Sequence, residues 1–457
     1  MKHTIYIKGL AAVALALALS LSSFTLQAQV LTLDSCLALA RKNNADIRTS
    51  QLEVLKAQEV KRQAFTKFFP QVSFSANTYY AVDPLIRFGI NDIESNDMRE
   101  LLQVIYEGAE SGGADFKSEM TLMKKGSSIS GNFVQPLFAG GRIINGNRLA
   151  SLGVDAANLM AEAKTRDVIE NIESSYYLVT GLQQKVATLK AALDLIDSLD
   201  RTVQAALANG LVTNADALQV QLKRNEMLAN QQQLTSGIRL SKRLLCQQIG
   251  IDYSDDIRFE EPAGGTEPPA LFVNKTTGDS LRPEMKLLEL NVQAEKLKKS
   301  MTIGESLPQL AIVGITFYGN ILKKETSSNG IALLTLSVPL TAWWETAHKL
   351  HQHNIAIEEA QIMQDNLGRM MSLEEEKAYS DMMDAYLLMK SDSSALSVAE
   401  ENYRLANLNY SVGNTTLSEV LQAHALLLQA QNAITDRRTT YTVARQRLTD
   451  LRQNREQ

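Results

Sequence analysis

The residues best spaced for chemistry are two carboxylates, each held behind a hydroxyl. Thr213-Asn214-Ala215-Asp216 and Thr416-Leu417-Ser418-Glu419 place a threonine three positions before an acid, just beyond Gly210 and Gly413. That spacing is a capping box: the hydroxyl accepts from the third helical amide, and the acid returns to the amide of the capping residue. A glycine shortly before it supplies the left-handed residue that ends the preceding helix. The pattern is therefore two helix-turn-helix corners with a carboxylate at each.

Other reactive residue types are sparse. His348, His351 and His353 include a pair three apart, which share a helix face. A metal ion could use such a face, but a solvated helix surface is the simpler account. His424 stands alone and reads as structural. Cys36 and Cys246 are the two cysteines, and either a disulfide or a pair of buried thiols fits them. The sequence has no phosphate loop, His-Glu-x-x-His, Cys-x-x-Cys or serine elbow, so neither an enzyme nor a cofactor is expected.

Long elements must position those corners. The 457-residue chain has 9 prolines, with none between Pro136 and Pro262 and none after Pro339. Both stretches are free to be helical, and a helix from Arg142 to Ala208 would be roughly 100 Å long. Such a rod is stable only where its apolar stripe is covered, which a returning antiparallel helix does in part. Strand chemistry precedes each rod. Val72, Phe74 and Tyr80 alternate with Gln71, Ser73, Ser75 and Asn77, and Ile129 and Phe133 alternate with Ser128, Ser130 and Asn132. Val313, Ile315 and Phe317 break the plan, because they fall on the polar face. Phe68-Phe69 and Trp343-Trp344 mark the strand-helix joints, as a membrane-interface girdle or as a core cluster.

The plan occurs twice. Asn44-Ala45-Asp46-Ile47 answers Arg282-Pro283-Glu284-Met285 and Pro70-Gln71 answers Pro308-Gln309, at one offset (308 − 70 and 284 − 46 both give 238). Pro136 answers Pro339 and Gly210 answers Gly413 at a smaller one (339 − 136 and 413 − 210 both give 203). The first copy thus carries 35 extra residues before Pro136. Expected boundaries are a first repeat over 29–250, with strands near 71–82 and 127–136, an acidic outer loop over 83–127 with a short helix over Asp97–Glu107 as an option, and a helical hairpin over 142–250. A linker over 251–280 leads to a second repeat over 281–457, with strands near 309–318 and 331–339 and a hairpin over 342–450.

Lys2 and Lys8, the apolar run from Gly9 to Leu21, and Leu26-Gln27-Ala28 read as a signal peptide over 1–28, so export is expected. No cysteine follows closely enough for a lipid anchor. The net charge of −5 argues against a nucleic-acid partner. Beyond that leader no run reaches the roughly 18 apolar residues of a spanning helix, so any membrane crossing falls to strands.

On these residues the chain resembles the TolC-like outer-membrane efflux proteins over essentially all of its length after residue 28. The resemblance rests on the paired repeat starts, the two Pro-Gln strand entries, the hairpin exits Gln135-Pro136-Leu137-Phe138-Ala139-Gly140-Gly141 and Val338-Pro339-Leu340, and the Gly210–Asp216 and Gly413–Glu419 corners. It implies a mainly α fold with a transmembrane β-barrel portion, in which a homotrimer forms a twelve-strand barrel in outer-membrane lipid and an α-helical tunnel in the periplasm. It also implies docking to a periplasmic adaptor protein and an inner-membrane transporter, and passive exit of small molecules. A conduit for type I polypeptide secretion uses the same fold. A soluble periplasmic coiled-coil adaptor is the rival of another class, but strand pairs before both rods disfavour it. In such proteins an aspartate and a tyrosine at the corners close the tunnel; these positions are Asp216 and Tyr410, beside the turn residues Gly210 and Gly413. The family's arginine past the second glycine is Thr415 here, which removes a charged latch. Pore-entrance positions correspond to Glu419 and Gln422, so one carboxylate stands where two would, and cations are attracted less.

Overall fold

The structure is a computed structural model and describes residues 30–83, 86–89, 93–111, 119–122, 125–261, 268–269, 282–320 and 326–453. The expected signal peptide and most of 262–280 lie outside the described residues. Two compact units divide the chain.

The unit made of Leu55–Ala156 and Leu288–Met363 contains an antiparallel sheet of order β2-β5-β7-β8. Its strands are β2 (Gln71–Tyr80), β5 (Lys125–Ala139), β7 (Gln309–Gly319) and β8 (Ser327–Ser337). β2 and β8 are its edges. The ladder register sorts the side chains between two faces, because directly opposed residues share a face. Val72, Phe133, Gly314 and Ala332 form one row, and Ser75, Ser130, Phe317 and Asn329 form a row on the other face. On that second face Ser75 Oγ and Ser130 Oγ are hydrogen-bonded at 2.7 Å.

The register accounts for the strand that breaks period two. Val313 lies opposite Leu333 and Ile315 opposite Ile331, so β7 and β8 place an apolar patch on the otherwise polar face. The strands also differ in extent from the sequence reading. β5 runs through Pro136, which has no amide to donate, and the β5–β7 register shifts between Pro136 and Phe138 to absorb it. β8 starts at Ser327 and stops at Ser337, short of Pro339.

The region 83–127 carries the short helix expected there, longer than Asp97–Glu107, and a ladder that was not expected. It holds a second small ladder, β3 (Ile86–Gly89) with β4 (Glu119–Leu122), and between them the helix α3 (Asn96–Ser111). At the joints, Phe65 meets Phe68 and Phe69 at ring-centroid distances of 5.6 and 5.5 Å, and Trp343 Nε1 donates to the Ser306 carbonyl at 3.0 Å. Phe68, Phe69, Trp343 and Trp344 are all exposed, so they are not a buried cluster. His353 bonds Glu295 through Nδ1 at 3.2 Å and Thr302 through Nε2 at 3.1 Å, while His348 and His351 are exposed. No group of three or more metal-ligating residues forms among the described residues.

The other unit comprises Met1–Val54, Ala157–Leu287 and Gln364–Gln457. It is built from α1 (Leu33–Asn43), the start of α2 (Ala45–Phe65), much of α4 (Arg142–Ala208), α5 (Asn214–Ile249), the start of α6 (Pro283–Glu305), and parts of α7 (Ala342–Ser411) and α8 (Leu417–Gln453). A two-stranded parallel ladder joins β1 (Val30–Leu31) to β6 (Arg258–Phe259). Tyr176 of α4 pins both, its hydroxyl lying 3.2 Å from the Leu31 carbonyl and 2.6 Å from that of Glu260. Asn44 explains the first repeat's opening motif. Its Oδ1 accepts from the amides of Asp46 and Ile47, starting α2, and its Nδ2 donates to the Gln248 carbonyl at 2.7 Å.

Cys36 and Cys246 are free and buried in this core with Ile172, Val179 and Phe259. Burial, and then the neighbouring Cys246, pushes the Cys36 thiol up to about 12. Such a thiol is inert as a nucleophile. No helix among the described residues is long and apolar enough to cross a membrane.

Candidate functional site

Both corners lie in this second unit. At the first, Gly210 takes φ 69°, and the Leu211 amide reaches back to the Ala206 carbonyl at 2.9 Å, which closes the end of α4. No atom stands within 4 Å of where a Cβ would be, so the backbone angle alone favours glycine. The second corner repeats this, with Gly413 at φ 79° and the Asn414 amide on the Asn409 carbonyl at 2.8 Å.

The capping boxes differ. At Thr213 both arms are made: Oγ1 accepts from the Asp216 amide at 3.2 Å, and Asp216 Oδ2 accepts from the Thr213 amide at 2.9 Å. Asp216 Oδ2 also accepts from Thr213 Oγ1 at 2.7 Å. These bonds, the hydroxyl's first, hold the Asp216 carboxyl below its usual range. At the second corner Thr416 Oγ1 accepts from the Glu419 amide at 3.4 Å, but Glu419 Oε2 takes the hydroxyl of Thr415 instead. Thr415 thus holds the carboxylate in the place where the resemblance led one to look for an arginine.

A cleft of about 870 Å³ joins the corners, lined among others by Gly210, Thr213, Asp216, Tyr410, Gly413 and Thr415. The structure therefore brings Asp216 and Tyr410 to one cavity. The Tyr410 ring packs against the core formed by Ile196, Val203, Val220 and Val420, and burial, followed by the Asp216 charge, pushes its phenol up. Glu419 and Gln422 are exposed on α8. Beneath the corners sits His424, 2% exposed, its ring 5.4 Å from that of Tyr403. Burial first, then Lys223, holds it below 6.5 and so neutral.

Sequence reading missed a second feature of this hairpin. Asp194, Asp197 and Asp200 recur every three residues on α4 and line an open groove of about 740 Å³ with Gln221, Arg224 and Asn225 of α5. Arg224 Nε bonds Asp197 Oδ1 at 2.6 Å and ties the two helices. The three-residue spacing was the available signal; which helix faced it was not.

The sequence model of the family described as outer membrane efflux protein matches residues 36–244. Among solved structures, VceC from Vibrio cholerae superposes with a TM-score of 0.70 at 16% identity, covering 92% of this chain and 95% of that one. CusC gives 0.73 at 14%, covering 92% and 91%, and CmeC from Campylobacter jejuni gives 0.69 at 16%, covering 90% and 83%. The chain has the fold of the TolC-like outer-membrane efflux proteins. No curated protein matches it. At these identities the solved structures establish a shared fold, two strands of one sheet followed by a helical hairpin, twice, and the roles of individual corner residues have to be argued from this chain.

Proposed function

We propose that the chain is one protomer of an outer-membrane efflux conduit, in which three copies close their sheets into a twelve-strand barrel and their helical hairpins into a periplasmic tunnel. The single observation that carries this reading is the four-stranded sheet with two open edges and one apolar face. An unpaired strand edge in hydrocarbon leaves each backbone group several kcal/mol short, so a spanning sheet must close. Four strands are too few to close alone, and the ten residues of β2 reach about 33 Å, enough for one crossing.

Small molecules then leave passively, with energy supplied by an inner-membrane transporter reached through a periplasmic adaptor. The groove between α4 and α5 supports such docking, since Asp194, Asp200 and Arg201 flank the Asp197–Arg224 pair and offer a partner helix polar groups of both signs. Asp216 and Tyr410 hold the corners of the tunnel shut around Gly210 and Gly413, and Glu419 and Gln422 face the entrance. The cleft that Asp216 and Tyr410 share supports the gate. With Gln422 beside Glu419, one carboxylate per protomer stands where two would, which supports only a weak cation preference.

The test is expression, with a periplasmic adaptor and an inner-membrane pump, in a host lacking its own efflux channels. Heat-dissociable trimers in the outer-membrane fraction, together with lower dye accumulation, are expected. A chain that fractionates as a soluble periplasmic monomer would overturn the reading in favour of an adaptor.

A further inference from the structure

The helix α3 is the least explained element of the sheet-containing unit. It is inserted in the connection from β2 to β5, between the small strands β3 and β4, whereas the β7–β8 connection spans only residues 320–326. Its start is well fixed. The Met98 amide donates to Ser95 Oγ, and the Arg99 guanidinium donates through Nε and Nη2 to the Ile93 carbonyl at 3.1 and 2.6 Å.

Its apolar side is bare. Met98 is 50% exposed, Leu101 55%, Val104 64% and Ile105 49%, and at 100° per residue these four fall on one face. Glu100 and Glu107 lie on the other side. A 16-residue helix is marginal in water unless such a face is covered.

Three coverings can be weighed. Among the described residues none provides one, since the four side chains remain exposed. A lipid surface fits poorly. Helices that lie on membranes gather several lysines and arginines on their polar side, whereas this one sets Glu100 and Glu107 against Arg99 alone, whose guanidinium is engaged by the Ile93 carbonyl. In the reading above, β2 also spans the hydrocarbon before the chain reaches α3. A second copy of this chain fits. Closing three sheets edge to edge carries one α3 per protomer to the same rim of the barrel, with identical bare faces and with the glutamates directed away.

We propose that the apolar faces of three α3 helices pack on one another over the outer mouth of the barrel, forming both a protomer contact and a lid. This inference rests on the trimeric reading above.

The experiment uses the full chain with Leu101→Cys. Cys36 and Cys246 are buried and stay in place, and the wild-type chain is the control. On oxidation with copper phenanthroline in detergent, a disulfide-linked dimer band is expected for Leu101→Cys and none for Glu100→Cys on the polar side. Light scattering on the same sample reports assembly independently. A trimer whose Cys at 101 is labelled by a water-soluble maleimide and does not cross-link overturns the lid, and so does labelling only by a lipid-tailed maleimide. Absence of the trimer itself overturns the assembly reading. Leu101→Glu with Ile105→Glu supplies a second readout: a larger single-channel conductance with the trimer intact is expected, and an unchanged conductance counts against the lid.

Discussion

Asp216 is asked to do two things, and its bonds separate them. Its carboxylate is occupied by the Thr213 amide and hydroxyl, so helix capping alone accounts for its position. Since its folded pKa is lowered, the stability it confers is present above the ordinary carboxylate value of 3.8 and is lost as pH falls through the lower folded one. Asp216→Ala should cost on the order of 1 kcal/mol and fray the first turn of α5. Asp216→Gln, which can still accept from the Thr213 amide, should resemble wild type if capping is all it does. If Asp216 and Tyr410 also hold the tunnel closed, Asp216→Ala with Tyr410→Phe should raise single-channel conductance with the trimer intact. A closed pore in the double variant leaves only the cap. The Thr-x-x-acid pattern was legible at both corners, yet the second acid went elsewhere. Spacing identifies a hydroxyl three residues back, but Thr415 and Thr416 are adjacent, and only the folded turn decides which of them Glu419 meets.

Among the elements, the helices were the most legible and β7 the least. A proline-free run between glycine corners leaves the chain little alternative to α4 and α7. Strands β2 and β5 betray their faces because serines and asparagines line one side. β7 lies between β5 and β8 and is apolar on both sides, so its own sequence has no period to read, and its register appears only through its neighbours. The register makes a sharp expectation. Phe74, 77% exposed, lies on the face of Val72, Ile129 and Phe133, with its ring over Gly131, whereas adjacent Ser75 bonds across to Ser130 on the other face. An arginine replacing Phe74 should destabilise the barrel by about 2–4 kcal/mol near the bilayer midplane, and Ser75→Arg by much less. Measured as folded trimer recovered from membranes, equal losses would contradict the assignment of faces.

At the scale of the whole chain, the question is what ties its last helix to its first repeat. Two carboxyls do so in the middle of the helical unit. Glu173 of α4 is 6% exposed and shares a hydrogen bond with Asp450 of α8. Burial raises the Glu173 carboxyl, and the charge of Asp450, its hydrogen bond and Glu170 raise it further. Burial raises Asp450 too, and so does the charge of Glu170, while its bonds to Glu173 and Gln446 draw it back, so the two carboxyls hold a proton between them. Arg447 lies 3.5 Å from Glu170, and Arg445 acts on Tyr177. None of this was legible beforehand, because an acid on a long helix looks solvated until the returning helix covers it. The sign follows from proton counting. Between the ordinary value of 4.5 and about 8, the folded chain keeps a proton that the unfolded chain has lost, so stability falls as pH rises through that window. Glu173→Gln keeps a donor for Asp450 and needs no proton. It should flatten the decline, and the α8 end should resist limited proteolysis at pH 8 as well as it does at pH 5. A wild-type chain whose protection is already equal at both pH values would show that Glu173 ionises normally and that the helices are held together by packing alone.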